Sequence, residues 1–193
     1  MKKFLKMSKL HCFFAMVLCL VGSNVQADAA PTISEFHPTV VASVGEKKIA
    51  VFFLKNSLRE KANGEYVADA EIYYAPIGSN KTFFKYVWKV EGDQIASVFF
   101  YDWKSPERAG KSMYVLTKTR LSDTAFDGFT YSVMELPIRV EGESASLLYF
   151  TGDSSDPALQ NCKDGKDLVS GINVVCGYKD AASIKKYFSL QDK

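Results

Sequence analysis

The chain is poor in the residues that most often carry catalysis. It has two histidines in 193 residues, His11 near the start and His37 just before Pro38. A catalytic imidazole must be held against its nucleophile, and the Pro-containing segment around His37 reads as an extended arm. Cysteine is scarce too. Four are present, none in a Cys-x-x-Cys pair, and neither Cys162 nor Cys176 has a histidine neighbour. Zinc needs three or four N/S ligands, so no zinc or Cys-His centre is expected. Charge of one sign is lacking: 24 Lys+Arg stand against 22 Asp+Glu. Such a balance leaves no footprint for nucleic acid and no polybasic segment for anionic lipid. No apolar run reaches the ~20 residues that span a bilayer. No repeat recurs at a fixed period. These absences imply no cofactor, no metal and no catalytic set, and the chain is read as a non-enzyme.

What is present begins with a targeting segment. Lys2, Lys3, Lys6 and Lys9 form a basic n-region, and Cys12 to Gly22 an apolar h-region. Val25 and Ala27 place small residues at −3 and −1, so residues 1–27 read as a signal peptide cut after Ala27. Cys19 lies inside the h-region behind Val17 and Leu18, which excludes a lipoprotein. Removing the four leader lysines leaves 20 basic against 22 acidic residues, a net of −2 over the 166 residues that remain. That length fits one domain, 28–193, with a proper core. The expected location is periplasmic or secreted, without a membrane anchor after cleavage. Cys162 and Cys176 then form an even pair in an oxidising compartment, where a disulfide is the default. It would close a loop of about 15 residues, for roughly 3 kcal/mol in the chain-entropy account. Asn80-Lys81-Thr82 matches the glycosylation pattern, silent if the lysine-rich leader is bacterial.

Residues 28–38, with two prolines, read as an extended arm. Val40 to Val44 and Lys48 to Leu54 are strand candidates, and Lys55 to Gly64 a loop or one to two helical turns. Glu65 to Tyr74 alternates, with Ala70 and Ile72 on one face and Glu71 and Tyr73 on the other. Ala75-Pro76 should end it. Thr82 to Val90 alternates again, setting Phe84, Tyr86, Trp88 and Val90 on one side. A Gly92 turn leads to Gln94–Trp103, the polar loop Lys104–Lys111 and Ser112–Arg120. Phe129–Val140 and Ala145–Phe150 are further strands. Pro137 places one end at an edge or bulge. The tail 151–193 is loop-rich to Gly171, then carries a short strand to Cys176. Asp180 caps a last helix whose packing face is Ile184, Tyr187 and Phe188. About eight strands joined by hairpin turns mean an antiparallel meander. The fold class is mainly β, a sandwich or strongly curved sheet with a C-terminal helix; a closed barrel is the alternative.

Loop carboxylates are the remaining candidates for chemistry. Asp153 and Asp156, and Asp164 and Asp167, sit in loops interrupted by lysines, without the alternate oxygens of a calcium loop. A pair at glycosidase spacing is set by the fold rather than by sequence. Aromatics are abundant, at 13% of the chain. Around Trp103 both faces of the strand are apolar, since Val98 and Phe100 oppose Phe99, Tyr101 and Trp103. Either both are covered, or one is a binding surface. In the second case Tyr101 and Trp103 anchor, and Lys104, Glu107 and Arg108 form a rim.

The run SVFFYDW, its polar connection and KSMYVLTK resemble the hairpin unit of FG-GAP/VCBS-type β-repeats, found also in single copy in secreted bacterial β-proteins. The resemblance spans Ile95 to Ile138 and implies a β-hairpin. The family's calcium loop would fall near Asp102, where this chain has WKSPERAG without the alternating acids, so its metal site is not carried over.

The function expected is an exported, non-enzymatic protein that binds another periplasmic or secreted protein, as an inhibitor, an immunity protein or an envelope accessory. The alternatives are a cell-wall or carbohydrate hydrolase using loop carboxylates, and a small-ligand carrier.

Overall fold

The structure, a computed structural model, describes residues 34–55, 69–78, 83–142, 144–149 and 156–192. The expected leader, Asp153 and the Asn80-Lys81-Thr82 sequence lie outside these residues. The described strands are β1 Glu35–Val44, β2 Lys47–Lys55, β3 Ala70–Ile77, β4 Lys85–Val90, β5 Gln94–Trp103, β6 Gly110–Ser122, β7 Phe126–Glu141, β8 Ser144–Leu147, β9 Cys162–Asp167 and β10 Asn173–Val174. One helix follows, α1 Ala181–Gln191. The strands form two antiparallel sheets, ordered β1-β2-β3-β4 and β10-β9-β7-β6-β5, with β8 also pairing β7. One sheet is strongly curled into a half-barrel. The mainly β class with a C-terminal helix is as the sequence predicts. Among the described residues each sheet ends in edge strands rather than closing into a barrel.

Two cores hold these layers. Period-2 alternation sends Ile49, Val51 and Phe53 of β2 and Ile72 and Tyr74 of β3 to one face. There they meet Met113 and Val115 of β6 and Leu136 and Ile138 of β7, filling the space between the sheets. The opposite face of the second sheet carries Phe99, Trp103, Tyr114, Leu116, Tyr131 and Val133, and α1 lays Ile184 and Phe188 over it. The middle strands of that sheet are therefore covered on both sides, and residues Ser112 to Thr117 of β6 are all buried. This answers the choice posed at Trp103: both apolar faces of β5 are packed inside the protein.

Four local expectations change. Glu35 to Pro38, read as an arm, belong to β1, where His37 pairs Phe53 and its ring meets that phenyl edge-on at 5.2 Å. Pro76 does not end β3: it lies opposite Ile49 of β2, beyond the last described β4 pair at Tyr74, where a proline removes no β4 ladder bond. Val87 is a bulge: Ile72 pairs Trp88, but Tyr73 pairs Tyr86. The extra residue turns Phe84 and Tyr86 to the face opposite Trp88 and Val90.

The fourth is β9, CKDGKD, whose sequence lacks an apolar pattern and predicts a loop. Backbone pairing with β7 makes it a strand, and Gly165 lies directly opposite Gly128. The two approach so closely that a Cβ on Gly165 would sit 2.6 Å from the Gly128 Cα, beside the Phe126 ring. Sheet pairing here depends on missing side chains rather than on buried ones.

Candidate functional site

The loop after β5 does not present Trp103 to solvent. Trp103 is 4% exposed. Its Nε1 donates to the Tyr114 hydroxyl at 2.6 Å, and its ring lies 4.9 Å from Tyr101 and 5.1 Å from Phe188. The Arg108 guanidinium covers the outer side, 3.9 Å from the ring centroid. Tyr101 is half-buried under the helix end and donates to Asp192. The Lys104 and Ser105 amides also donate to Asp192, at 2.9 and 2.8 Å. So the loop is pinned to the end of α1, and only Lys104, Glu107 and Arg108 of the five expected residues are exposed.

Arg108 stands where three clefts meet. It pairs with Glu135, which also accepts from Ser112 Oγ at 2.8 Å. Burial, and then the nearby Glu135 carboxylate, push the Tyr114 phenol up from its ordinary value. Asp156 faces the same region. Burial pushes its carboxyl up, but hydrogen bonds from Tyr187, the Ala158 amide and Gln191 outweigh that and hold it below the usual range. The cleft that brings Arg108, Glu135 and Asp156 together is only about 30 Å³, room for one water molecule. Both carboxylates are already committed to partners in the chain. The other two clefts are open grooves of about 320 and 360 Å³ beside Glu107 and Arg108.

A second region was not anticipated as a surface. Cys162 and Cys176 are bonded, with Cα atoms 5.4 Å apart. The disulfide, compatible with an oxidising compartment, closes the β9–β10 hairpin. Within it the backbone is tied at every step. Asp167 Oδ1 accepts from the Val169 and Ser170 amides at 3.0 and 2.8 Å, and Gly171 takes the left-handed φ of 72°. The Leu168 amide donates to Ala125, and the Asp167 amide to Ile172. Asp164 receives Lys179 Nζ at 3.1 Å and the Cys176 amide at 3.2 Å. The Lys179 ammonium and then the Cys176 amide, against a weaker desolvation, hold its carboxyl below the ordinary value. On this fixed frame stand Val169, Val175 and Ile172, exposed by 83%, 74% and 65%, with Leu168 beside them. The signal was in the sequence: LVSGINVV puts five aliphatics in a short loop between two bonded cysteines, where no core can receive them all.

Comparison with known protein families, with curated proteins and with solved structures finds no match for this chain.

Proposed function

We propose that the chain is an exported, non-enzymatic protein that binds another protein of its compartment, and that the tip of the stapled hairpin, Leu168 to Val175, is its contact surface. The observation that carries this reading is the exposure of aliphatic side chains on a backbone held by a disulfide and an Asp167 turn. Exposed apolar groups of this kind mark interaction sites. A contact loop fixed before binding loses less freedom on association, which leaves more of the contact energy as affinity. The leader, cleaved after Ala27, would deliver the chain to the periplasm or the exterior, where the disulfide persists. An inhibitor, immunity-type or envelope accessory role fits a rigid apolar finger. Lys166 of β9, opposite Asn173 of β10, supplies a polar group beside that tip.

The rival readings have less support. A hydrolase would need free carboxylates in a cleft that admits substrate; Glu135 and Asp156 meet in one the size of a water, and in the larger groove beside Glu107 the Glu135 carboxylate is already held by Arg108 and Ser112. A carrier would need an internal cavity, and the space between the sheets is filled by Val51, Phe53, Met113 and Leu136. The test is a Val169→Asp/Val175→Asp double variant, both positions being exposed. It should melt with the parent and lose the one cross-linked partner that the parent captures from its own compartment. Identical capture by both removes the hairpin from consideration. Flotation of the parent with lipid vesicles, abolished by the same changes, would replace a protein partner with a membrane surface.

A further inference from the structure

The outer face of the four-stranded sheet, remote in the topology from the stapled hairpin, carries a row of rings. The Val87 bulge creates it by turning Phe84 and Tyr86 outward to join Phe52 of β2 and Tyr73 of β3. Phe84 stacks flat on Tyr73, with centroids 4.7 Å apart and planes 9° from parallel. Phe52 lies 5.3 Å from Phe84, and Tyr86 meets Tyr73 edge-on at 5.6 Å. Phe84 remains 54% exposed and Tyr86 45%. Tyr73 donates its hydroxyl to Glu71 at 2.6 Å, a bond that, ahead of burial, pushes the phenol up to about 12. Lys89, opposite Glu71 in the register, pairs with Glu91 at 2.7 Å. The row thus ends in carboxylates and an ammonium lying side by side.

We infer that this face is a saccharide platform, taking an unbranched, uncharged pyranose chain laid across β2, β3 and β4. A pyranose ring offers a flat C–H face and a girdle of hydroxyls. Phe84 and Tyr86, the exposed rings, present apolar surface for the first, with Tyr73 and Phe52 packed behind them, and Glu71 and Lys89 an acceptor and a donor for the second. Ligand sites in general combine aromatic lining with a few placed polar groups. The rings hold one another in place, so little ordering is needed on binding. Glu71 and Glu91 along the row oppose a phosphate polymer, whose affinity would come from cations alone. Neighbouring charges of both signs suit a neutral, hydroxyl-rich partner. This site is independent of the hairpin: it lies on the other sheet, and neither needs the other.

The experiment is affinity electrophoresis and calorimetry of the whole, disulfide-bonded protein with chitin and cellulose oligomers of six sugars. Retardation by at least one of them is expected, weakened by about tenfold or more in Phe84→Ala and Tyr86→Ala, the scale of one lost ring contact. Both rings are exposed, and unchanged melting of the variants confirms that folding is not the cause. The hairpin variant Val169→Asp/Val175→Asp should keep saccharide binding in full. No retardation by either oligomer overturns the inference, as does retardation that survives both ring substitutions. A dimer seen in sedimentation and abolished by Phe84→Ala would also overturn it, assigning the face to a second copy of the chain.

Discussion

Replacing Trp103 by alanine separates a buried brace from a surface anchor. The indole is 4% exposed and is enclosed by Tyr101, Tyr114 and Phe188, with Arg108 above. Truncating a buried Trp to Ala costs about 3–5 kcal/mol in transfer and cavity terms. The Tyr114 hydroxyl loses its donor but keeps Glu135 beside it, so little orphan cost is added. Arg108 loses the ring beneath it. That guanidinium is part-exposed, and its share is about 1 kcal/mol or less. The sum is about 4 kcal/mol, which for a chain of this size lowers Tm by roughly 8–16 °C.

Circular dichroism melting and urea titration of the single variant read this directly. Trp103→Phe should recover about half of it, since the phenyl keeps contacts with Phe188 and Tyr101 but loses the Nε1 donor, worth about 1–2 kcal/mol, and part of the ring volume. If Trp103→Ala melts within about 2 °C of the parent, the helix does not depend on this ring. The packing of α1 on the second sheet would then rest on Ile184 and the other rings around Phe188 rather than on Trp103.

Three further outcomes follow from other parts of the fold. Cys162→Ser should cost about 3 kcal/mol and leave one titratable thiol, while two free thiols in the oxidised parent would refute the bridge. Gly165→Ala should lower stability by about 2–3 kcal/mol, because its Cβ would meet the Gly128 Cα at 2.6 Å; an unchanged melting temperature removes the paired-glycine argument. Asp164, beside Lys179, and Asp180, bonded by the Ser183 amide, both titrate below the ordinary value. A depressed folded pKa gives stability that is present above the unfolded value of about 3.9 and lost as pH falls through the folded one. Melting temperature should therefore fall on acidification below about pH 4, and Asp180→Asn should reduce that slope; a flat profile down to pH 2 would refute the assignment.

The parts of the fold legible in sequence are those where local pattern and burial agree. The alternation of β3, the two faces of β7 and the Ile184–Phe188 stripe behind an Asp180 cap all follow from periods of 2 and 3.6. Asp180 accepts from Ser183 N at 2.7 Å, as its position implies. The misses share a different cause. CKDGKD is a strand through its backbone, with Gly128 opposite Gly165 admitting what side chains would exclude. Pro76 stays in β3 because its neighbour β4 stops short. Val87 reverses the expected faces of β4 because one extra residue in a period of 2 exchanges inside for outside. Each is a relation between strands, and a single strand's sequence does not state what lies beside it.

The same limit governs the candidate surfaces. Alternation reports that a side chain is apolar, whereas binding depends on whether a third layer covers it. Tyr101 and Trp103 satisfy every sequence criterion for an anchor, and α1, more than 75 residues further on, covers them. Phe84 and Tyr86 are expected on one side with Trp88 and Val90, and they lie in the open on the other face because Val87 moved them. Only the hairpin carries a hint of exposure in its own sequence. Its Lys- and Asp-bearing half pairs into the sheet as β9, while the five aliphatics of LVSGINVV fall in the turn and return strand of a loop of about 15 residues closed by a bond between its ends. Substituting its tip should therefore alter recognition and leave melting untouched, the reverse of what substitution does at Trp103.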